Sequence, residues 1–346
     1  ALARRGHTVR ILSFVHGDEY CEVDDGLIME IYHPAAGTGL LSKLSYLKRT
    51  GPWLDEYCKR FGKPDVVNTH GLSSIRLVSR WARAHSIPNV HQEHLKALLN
   101  PGLPFKIKWQ ARHYYGKVES IIAVSTIHAE AIRKLTDTQI YRIPDVVDSS
   151  FFGVSTAKDP GSCIQLVCVS DLEPEKGYEL LLDALGLLAS AEVDFTMHIV
   201  GDGSLRSQME SMVEAKGMER RIILHGRLNR ESILTILEKC HIYCTATVLE
   251  SFGMHIAEAL AAGLYVVTTD CGSVHDYITD DNGMIVPERS AKKLADAMKK
   301  AIEAYSVDKV QDIRSSIAKY ASAEVVIPQL EQLFTNAMSN YKRLGS

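Results

Sequence analysis

The chain has 346 residues, of which 46% are hydrophobic and 23% charged, a composition typical of a globular protein. Its formal net charge of −3 excludes the broad basic surface by which many proteins bind nucleic acid. No apolar run approaches the roughly 20 residues of a membrane-spanning helix. Seven cysteines without a Cys-x-x-Cys pair argue against a disulfide framework or a zinc site and favour the cytoplasm.

The first half of the sequence alternates short apolar strands with helices. Residues 1–6 have the form of a helix end with Gly6 as its C-cap, so we interpret the N-terminus as incomplete. The predicted strands are residues 9–14, 27–32, 66–69, 89–92, 120–124 and 139–143. The predicted helices are residues 41–61, 74–85, 105–115 and 126–135. Such alternation predicts parallel strands connected by crossover helices.

A stretch rich in Ser, Thr, Gly, Asp and Pro at 151–161 indicates a linker, and a second alternating series follows it. Its predicted strands are residues 165–169, 196–200, 222–225, 241–244, 265–269 and 284–286. Its predicted helices are residues 177–188, 204–215, 230–238, 252–262 and 291–305, and a last amphipathic helix covers 328–344. Two doubly wound domains are therefore expected, and ligands of such sheets bind beyond the carboxyl ends of the strands.

The segment 247–263 joins a predicted strand to a predicted helix and carries Glu250 in the connecting loop. Free N–H groups where the helix begins, near Phe252, attract a phosphate or a sugar oxygen, and Gly253 permits close approach. Glu258 follows Glu250 by eight positions. A capping acid and a solvated helical glutamate explain the two carboxylates equally well on residue chemistry alone.

Two further junctions between a strand and a helix have the same layout. Lys176 is placed at the carboxyl edge of the sheet, where a lysine can neutralise a diphosphate as a point charge. The alternative is an ordinary exposed lysine in a first helical turn, which is unfavourable near the positive end of a helix. Gly203 belongs to the turn 200–204, which a tight turn alone also explains.

The chain resembles the family-four retaining glycosyltransferases in four motifs that occur in family order. They are Pro-Glu-Lys-Gly (174–177), Val-Gly-Asp-Gly (200–203), Glu-Ser-Phe-Gly continuing to Gly263 (250–263) and Asn-Gly-Met-Ile-Val-Pro (282–287). The segments 5–9, 124–125 and 143–148 are similar to family motifs of the first half. The resemblance implies the GT-B fold, an α/β architecture of two doubly wound Rossmann-like domains facing across a cleft.

The expected domains are an acceptor-side domain at 1–152, incomplete at its N-terminus, and a donor nucleotide-sugar-binding domain at 153–324. We expect the C-terminal helix, 325–346, to pack back on the first domain. The resemblance places Glu250 beside the donor sugar, Glu258 at the ribose hydroxyls and Lys176 at the diphosphate. The implied catalytic residues are Glu250, Lys176 and His94. The implied donor-binding residues are Glu258, Phe252, Gly253, Met254, Gly203 and Ser251.

His94 is similar to the acceptor-side histidine of the family, although a lone histidine there is more often structural. Ser170-Asp171 departs from the usual Gly-Arg, which removes a phosphate cation and places Asp171 where it would repel a diphosphate. Arg227 or Arg206 is the expected replacement. The sequence 272–276 is a looser match to the family's Gly-Gly-x-Pro-Glu loop, and the N-terminal glycine loop of the family has no counterpart in these residues.

The resemblance implies transfer of a sugar, with retention, from a UDP-, GDP- or ADP-sugar to a glycan, a lipid-linked or a small-molecule acceptor, as in polysaccharide biosynthesis. No cofactor and no metal are expected, since no Asp-x-Asp pair is placed to hold a divalent ion. Two alternatives stay open. Asp171 favours a non-catalytic paralogue that binds sugar nucleotides, and a sugar-nucleotide epimerase would share the fold, although the Phe-Gly after Glu250 favours transfer.

Predicted helices of the first half combine basic residues with Trp53 and Trp109. This pattern predicts peripheral contact with an anionic membrane, at its inner face, by an otherwise cytoplasmic protein that reaches a lipid-linked acceptor. A solvated helix face is the alternative. The basic residues are Lys43, Lys48, Arg49, Lys59, Arg60, Lys106, Lys108 and Arg112.

Overall fold

The computed structural model describes residues 1–13, 20–24, 27–31, 40–155 and 163–344, and side chains at 1–12, 48–155 and 163–341. The predicted strand ends Phe14 and Tyr32, the side chain of Lys43 and most of the predicted linker lie outside these ranges. The chain divides into two compact units. Unit 1 consists of Ala1–Ala123, Ala129–Ile143 and Ile327–Ser346, and unit 2 consists of Val124–His128 and Pro144–Val326.

Unit 1 begins with a three-stranded sheet formed by β1 (Val9–Ser13), β2 (Tyr20–Asp24) and β3 (Leu27–Ile31). Strand β1 pairs with β3 in parallel, whereas β2 pairs with β3 in the antiparallel direction. The prediction of parallel strands alone is wrong here, and β2 was not predicted. Only two residues, Asp25-Gly26, separate β2 from β3, and so short a connection can join only antiparallel strands.

A second sheet of unit 1 is fully parallel, in the order β4 (Val67–His70), β5 (Asn89–Glu93), β6 (Ser120–Ala123), β7 (Ile140–Arg142). All residues of β5 and β6 are buried, as expected of central strands covered on both faces. The helices along this stretch are α1 (Leu40–Phe61), α2 (Gly71–Ala84), α3 (Phe105–Tyr115) and α4 (Thr126–Arg133).

Unit 2 contains a six-stranded sheet in which every pairing is parallel. Its strands are β8 (Ile164–Val169), β9 (Phe195–Val200), β10 (Ile222–Gly226), β11 (Ile242–Thr245), β12 (Tyr265–Thr269) and β13 (Gly283–Val286). Their order is β10-β9-β8-β11-β12-β13, so the direction of winding reverses between β8 and β11. That reversal is the topological switch point, beside which open α/β sheets bind ligands.

The helices of unit 2 are α5 (Ser149–Phe152), α6 (Tyr178–Ser190), α7 (Arg206–Ala215), α8 (Arg230–Leu237), α9 (Met254–Ala261), α10 (Ala291–Glu303) and α11 (Val310–Ala321). Four of them, α6 to α9, alternate with the strands from β8 to β12, whereas α5 precedes the sheet and α10 and α11 follow it. Two helices, α5 and α11, were not predicted. The first has four residues, too few for a periodic pattern, whereas α11 has a buried apolar stripe that the sequence carries.

The last helix, α12 (Ala323–Leu344), belongs to unit 1 from Ile327 onward. Its Glu331 accepts hydrogen bonds of 2.8 Å from both Nε and Nη2 of Arg5, and its Oε1 lies 2.9 Å from Nε2 of His7. These contacts join the two ends of the chain within unit 1. Among the described helices, α12 included, none is long and apolar enough to cross a bilayer.

Candidate functional site

Two loops leave the sheet of unit 2 at its switch point. One follows β8 and carries residues 170–176, and the other follows β11 and carries residues 246–253. Gly177 has φ +70° and lies so close to the second loop that a Cβ there would stand 2.1 Å from the carbonyl oxygen of Ala246. Only glycine permits this approach, and it brings Lys176 beside Glu250.

Lys176 and Glu250 form the centre of the site. The Nζ of Lys176 lies 2.6 Å from Oε1 of Glu250, and their side chains are only 15% and 11% exposed. Thr247 donates from Oγ1 to the same oxygen over 3.1 Å, and His255 Nε2 lies 3.2 Å from it. Burial alone would raise the pKa of Glu250, but the hydrogen bond from His255 and the charge of Lys176 outweigh it and hold that pKa at about 2.

His255 extends the cluster into the sheet. Its Nδ1 lies 2.7 Å from the hydroxyl of Tyr243, a buried residue of β11. Burial lowers the pKa of His255, against the opposing effect of Glu250. A neutral His255 that donates from Nε2 to Glu250 has Nδ1 as an acceptor for the hydroxyl of Tyr243. That hydroxyl also lies within donating distance of the carbonyl oxygen of Val169, at 3.1 Å. Sequence reasoning missed His255, Tyr243 and Thr247, although each is a polar residue within or beside an otherwise apolar strand or helix.

The turn between Glu250 and α9 contains three of the predicted donor-binding residues, and a fourth, Met254, begins the helix. Gly253 has φ +82° and caps α9, which begins at Met254. Phe252 is buried, and its carbonyl oxygen accepts hydrogen bonds from Tyr277 and Ser273.

Ser251 is fixed through its backbone in the same turn, because its carbonyl oxygen accepts a 2.6 Å hydrogen bond from Oγ of Ser125. Throughout the described ranges, no residue accepts a hydrogen bond from the backbone N–H of Met254 or His255. The carbonyl oxygens of Ser251 and Phe252 therefore fix the turn by accepting hydrogen bonds, and the N–H groups of Met254 and His255 take no part in fixing it.

Glu258 lies further along α9, next to a different set of charges. Burial raises its pKa to about 7, Arg230 opposes this effect and Asp148 adds to it. Arg230 is itself paired with Asp148, at 2.5 Å. Because Arg230 is shared between Asp148 and Glu258, its positive charge cannot fully offset the effect of burial on the pKa of Glu258. The predicted ribose-binding carboxylate is thus poised to change charge near neutral pH.

The predicted turn at Gly203 packs against the loop that follows β8. A Cβ at Gly203 would stand 2.6 Å from the carbonyl oxygen of Leu172, and its N–H donates to Asp202. The next residue, Ser204, donates from both its backbone N–H and its hydroxyl to Glu173. A carboxylate therefore binds the backbone N–H of Ser204, two residues before α7 begins.

Asp171 faces Arg227, whose Nη2 lies 3.6 Å from its Oδ1, and both side chains are mostly exposed. Arg206 instead donates to Glu210 over 2.6 Å.

Sequence reasoning missed a further cation, Arg289, which donates to the carbonyl oxygens of Ala246 and Thr247. Its position three residues after the end of the parallel strand β13 is the signal that could have identified it.

His94 lies in unit 1, directly after β5. Its Nε2 is 3.1 Å from Nδ1 of His70, at the end of the adjacent strand β4, and the two rings stack at 5.4 Å. His70 was not predicted, although parallel neighbouring strands bring their carboxyl ends to one edge. The loop is braced by buried Glu93, whose Oε1 accepts the backbone N–H groups of His94 and Leu95.

Glu93 has its own buried partners. Its Oε2 accepts a 2.6 Å hydrogen bond from the hydroxyl of Tyr115 and lies 3.2 Å from Nε2 of His91. Burial would raise the pKa of Glu93, but His91 and the hydrogen bond from Tyr115 bring it down to about 2. In the portion of the chain that the structure describes, no group of three or more His, Cys, Asp or Glu side chains is arranged to hold a metal ion.

Family models match almost the whole length of this chain. The model of the glycosyl transferases group 1 matches residues 158–322, and that of glycosyltransferase family 4 matches residues 1–151. The chain belongs to the family 4 glycosyltransferases. The first match covers the Lys176–Glu250 site, and the second covers His94. Both halves of the chain therefore match the family that the sequence motifs indicated.

Curated relatives include components of phosphatidylinositol N-acetylglucosaminyltransferase from several organisms. The relative from Arabidopsis thaliana is 24% identical over 204 residues, which are 59% of this chain and 45% of the relative. The relative from Homo sapiens is 32% identical over 160 residues, or 46% of this chain and 33% of the relative. The family 4 chain spans about half the length of these transferase relatives, or less.

Solved structures resemble the chain over most of its length. Sucrose-phosphate synthase from Thermosynechococcus elongatus has a TM-score of 0.84 at 16% identity, covering 98% of this chain and 91% of that one. Anabaena HepE in complex with UDP and glucose has a TM-score of 0.71 at 17% identity, covering 90% and 87%. These similarities confirm the predicted GT-B fold with its doubly wound α/β domains.

Proposed function

We propose that this protein is a retaining glycosyltransferase that moves a sugar from a nucleoside-diphosphate sugar to an acceptor hydroxyl. The observation that carries the proposal is the contact between Lys176 and Glu250 beside the start of α9. A cation, an ionised carboxylate and the N–H groups of a helix start meet at the switch point of a doubly wound sheet. Family membership supports the same conclusion.

Stabilisation of the departing nucleoside diphosphate is the main demand of this reaction. Lys176 and the N–H groups around Met254 would supply positive charge where the phosphate charge develops. We propose that the diphosphate competes with Glu250 for Lys176, so that donor binding loosens the ion pair. In transfer, the acceptor oxygen bonds to the sugar C1 as the bond from C1 to the phosphate oxygen breaks, and that oxygen takes the acceptor proton.

Glu250 would bind the donor sugar. Its pKa of about 2 keeps it ionised at neutral pH, and all three of the donors described above reach its Oε1. We propose that Oε2 accepts a sugar hydroxyl, and that Ser251, Phe252 and Gly253 contribute backbone groups. Glu258 would accept the ribose hydroxyls, and Gly203 would complete the turn next to the phosphates.

His94 would act on the acceptor side, together with His70. Because the two imidazoles share a hydrogen bond of 3.1 Å, one of them donates and the other accepts. The brace from Glu93 fixes the loop, so that the position of His94 is set before a substrate binds. His94 is therefore proposed as a group that orients the acceptor hydroxyl rather than as the base of the reaction.

The names of the relatives suggest the order in which substrates should be tested. Since several relatives transfer N-acetylglucosamine to phosphatidylinositol by name, we propose UDP-N-acetylglucosamine and a lipid-linked acceptor first. Other UDP-, GDP- and ADP-sugars, and glycan or small-molecule acceptors, follow. We propose that transfer needs no metal ion or other cofactor, and that the protein works in the cytoplasm, with peripheral contact at the inner membrane face.

A second candidate function is sugar-nucleotide binding without turnover. It is favoured by Asp171, which stands where a phosphate cation is usual and which draws Arg227 toward itself. The carboxylate of Glu173 at Ser204 adds a further negative charge at this edge of the sheet. A sugar-nucleotide epimerase remains a third candidate, disfavoured by the turn at Phe252 and Gly253.

One experiment separates the three functions. The full chain is incubated with radiolabelled UDP-N-acetylglucosamine, with and without phosphatidylinositol vesicles, and nucleoside diphosphate, lipid product and sugar identity are each measured. Acceptor-dependent release of UDP with labelled lipid supports transfer, and interconversion of the free donor supports the epimerase. Tight donor binding without either product, across a panel of donors and acceptors, would overturn the proposal in favour of the binding paralogue. Activity retained in EDTA supports metal independence.

A further inference from the structure

Helix α3 exposes two large aromatic side chains to solvent. Phe105 is 83% exposed, more than any other large hydrophobic residue in the described ranges, and Trp109 is 54% exposed. Leaving such side chains in water forgoes the favourable free energy of burying their apolar surface. Scattered single exposures need no explanation, but these two residues are four positions apart, on the same face of one helix.

The exposed aromatics are framed by positive charge. Arg112 continues the stripe of Phe105 and Trp109 at helical spacing, while Lys106 and Lys108 lie on either side of it, and all three cations are exposed. The opposite face is held in the core by Ala111 and Tyr115, both fully buried. The buried face therefore fixes the helix on unit 1, and the exposed face presents two aromatic side chains with basic residues on both sides.

The surrounding sequence contains no counter-ion for this face. Between Glu93 and Glu119 the chain has five lysines and arginines and no aspartate or glutamate, although the whole protein carries a net charge of −3. The basic charge is thus local, not a consequence of overall composition. A surface that is apolar at its centre and cationic at its edges is complementary to an anionic bilayer, whose headgroups are negative and whose interface accepts tryptophan.

We propose that α3 docks on an anionic phospholipid bilayer, with Phe105 and Trp109 entering the interface and Lys106, Lys108 and Arg112 contacting the lipid phosphates. These five residues form the α3 surface. Each basic residue near such a membrane strengthens binding roughly fivefold, and the aromatic pair adds apolar burial. This assignment rests on the peripheral membrane contact of the proposed function and names the residues that make it. Vesicle binding is measured without sugar transfer, so its failure would leave the proposed transferase activity untouched.

Co-sedimentation with vesicles tests the proposal on the full chain. Vesicles of phosphatidylcholine mixed with phosphatidylglycerol are compared with vesicles of phosphatidylcholine alone, at low and at high salt. We expect binding only to the mixed vesicles, and weaker binding as salt rises because screening shortens the range of the attraction. Replacement of the three basic residues (K106Q/K108Q/R112Q) should weaken binding on the order of 100-fold at low salt.

A matched control removes the same charge elsewhere. The variant K292Q/K299Q/K300Q changes three exposed lysines of α10 and should bind as the unaltered protein does. The variant F105S/W109S should lose at least roughly tenfold in binding with all charges kept. Trp109→Phe should keep binding but abolish the blue shift of tryptophan emission that vesicles produce, because the other two tryptophans lie outside the α3 surface.

The outcomes divide cleanly. Salt-dependent binding that the α3 variants lose and the α10 variant keeps supports the proposal. Absence of binding to mixed vesicles at low salt overturns it, as does equal loss in both charge variants. If F105S/W109S changes the sedimentation coefficient of the protein without lipid, the face is a protein interface, and the proposal is also overturned. Circular dichroism confirms that each variant is folded.

Discussion

The Nζ of Lys176 lies 2.6 Å from Oε1 of Glu250, although the two residues are 74 positions apart. Each follows a strand that flanks the reversal of winding in the unit 2 sheet, so the topology brings them together. The pair is mostly buried, and breaking a buried pair leaves an uncompensated charge. A bound diphosphate could replace Glu250 as the partner of Lys176 without exposing that charge to an apolar environment.

Lys176→Ala should weaken binding of the donor nucleotide by about 1.5–3 kcal/mol, or roughly 10- to 150-fold, because a charge-assisted hydrogen bond to phosphate is lost. Isothermal titration calorimetry with the nucleoside diphosphate measures the effect. Lys216→Ala is the matched control, since Lys216 pairs with Asp183 on the surface at 2.7 Å. Equal affinity in both variants would remove Lys176 from the donor site.

Donor affinity should depend on pH through Glu258. Its pKa is about 7, and only the ionised carboxylate accepts hydrogen bonds from two ribose hydroxyls. Affinity is therefore expected to fall roughly tenfold between pH 8 and pH 6 and to level off above pH 8. Titrations across this range should lose the dependence in Glu258→Gln. If that variant and the unaltered protein share one pH profile, Glu258 is excluded as its source.

The same substitution should stabilise the fold at high pH. Because burial raises the pKa of Glu258, the folded state retains its proton longer than the unfolded chain does, and stability falls as pH rises from about 4.5 to about 7. Glu258→Gln removes this loss and should add about 1–3 kcal/mol at pH 8 but little at pH 4. Urea unfolding at both pH values measures it. A variant that is less stable at pH 8 would contradict the expectation.

Gly177→Ala should be far more damaging than Gly217→Ala. Both glycines have positive φ, +70° and +62°, so an alanine is strained by a similar amount of about 1–2 kcal/mol at either position. A Cβ at Gly177 would also stand 2.1 Å from the carbonyl oxygen of Ala246, whereas a Cβ at Gly217 meets nothing within 4 Å. We expect a larger loss of unfolding free energy, and weaker donor binding, only in the first variant.

Tyr115→Phe should destabilise unit 1 by about 1–3 kcal/mol at pH 7, since buried Glu93 loses a 2.6 Å hydrogen bond. Glu93 has a lowered pKa of about 2, so its contribution is present above pH 4.5 and fades as pH falls toward 2. The difference between variant and parent should shrink accordingly. Tyr114→Phe, at the half-buried neighbour, is the control and should leave stability nearly unchanged.

Much of the architecture could be predicted because its signals are local. Strands such as residues 120–123 and 265–269 are short apolar runs bounded by polar turns, and the helices between them have helical periodicity. Motif order identified the family and implied that Lys176 and Glu250 both belong to the donor site. Strand β2 was missed because its alternation is weak, although the two-residue connection after it was visible in the sequence.

The electrostatics of the site could not be predicted, because they depend on which side chains from distant segments share a buried volume. The sequence by itself determined two doubly wound domains and a cation and a carboxylate at the carboxyl edge of the second sheet. Only the tertiary structure decided that Lys176 and His255 both reach one oxygen of Glu250, and that Glu258 shares the cation Arg230 with Asp148. Burial and distance set those pKa values, and neither is encoded in residue type or spacing.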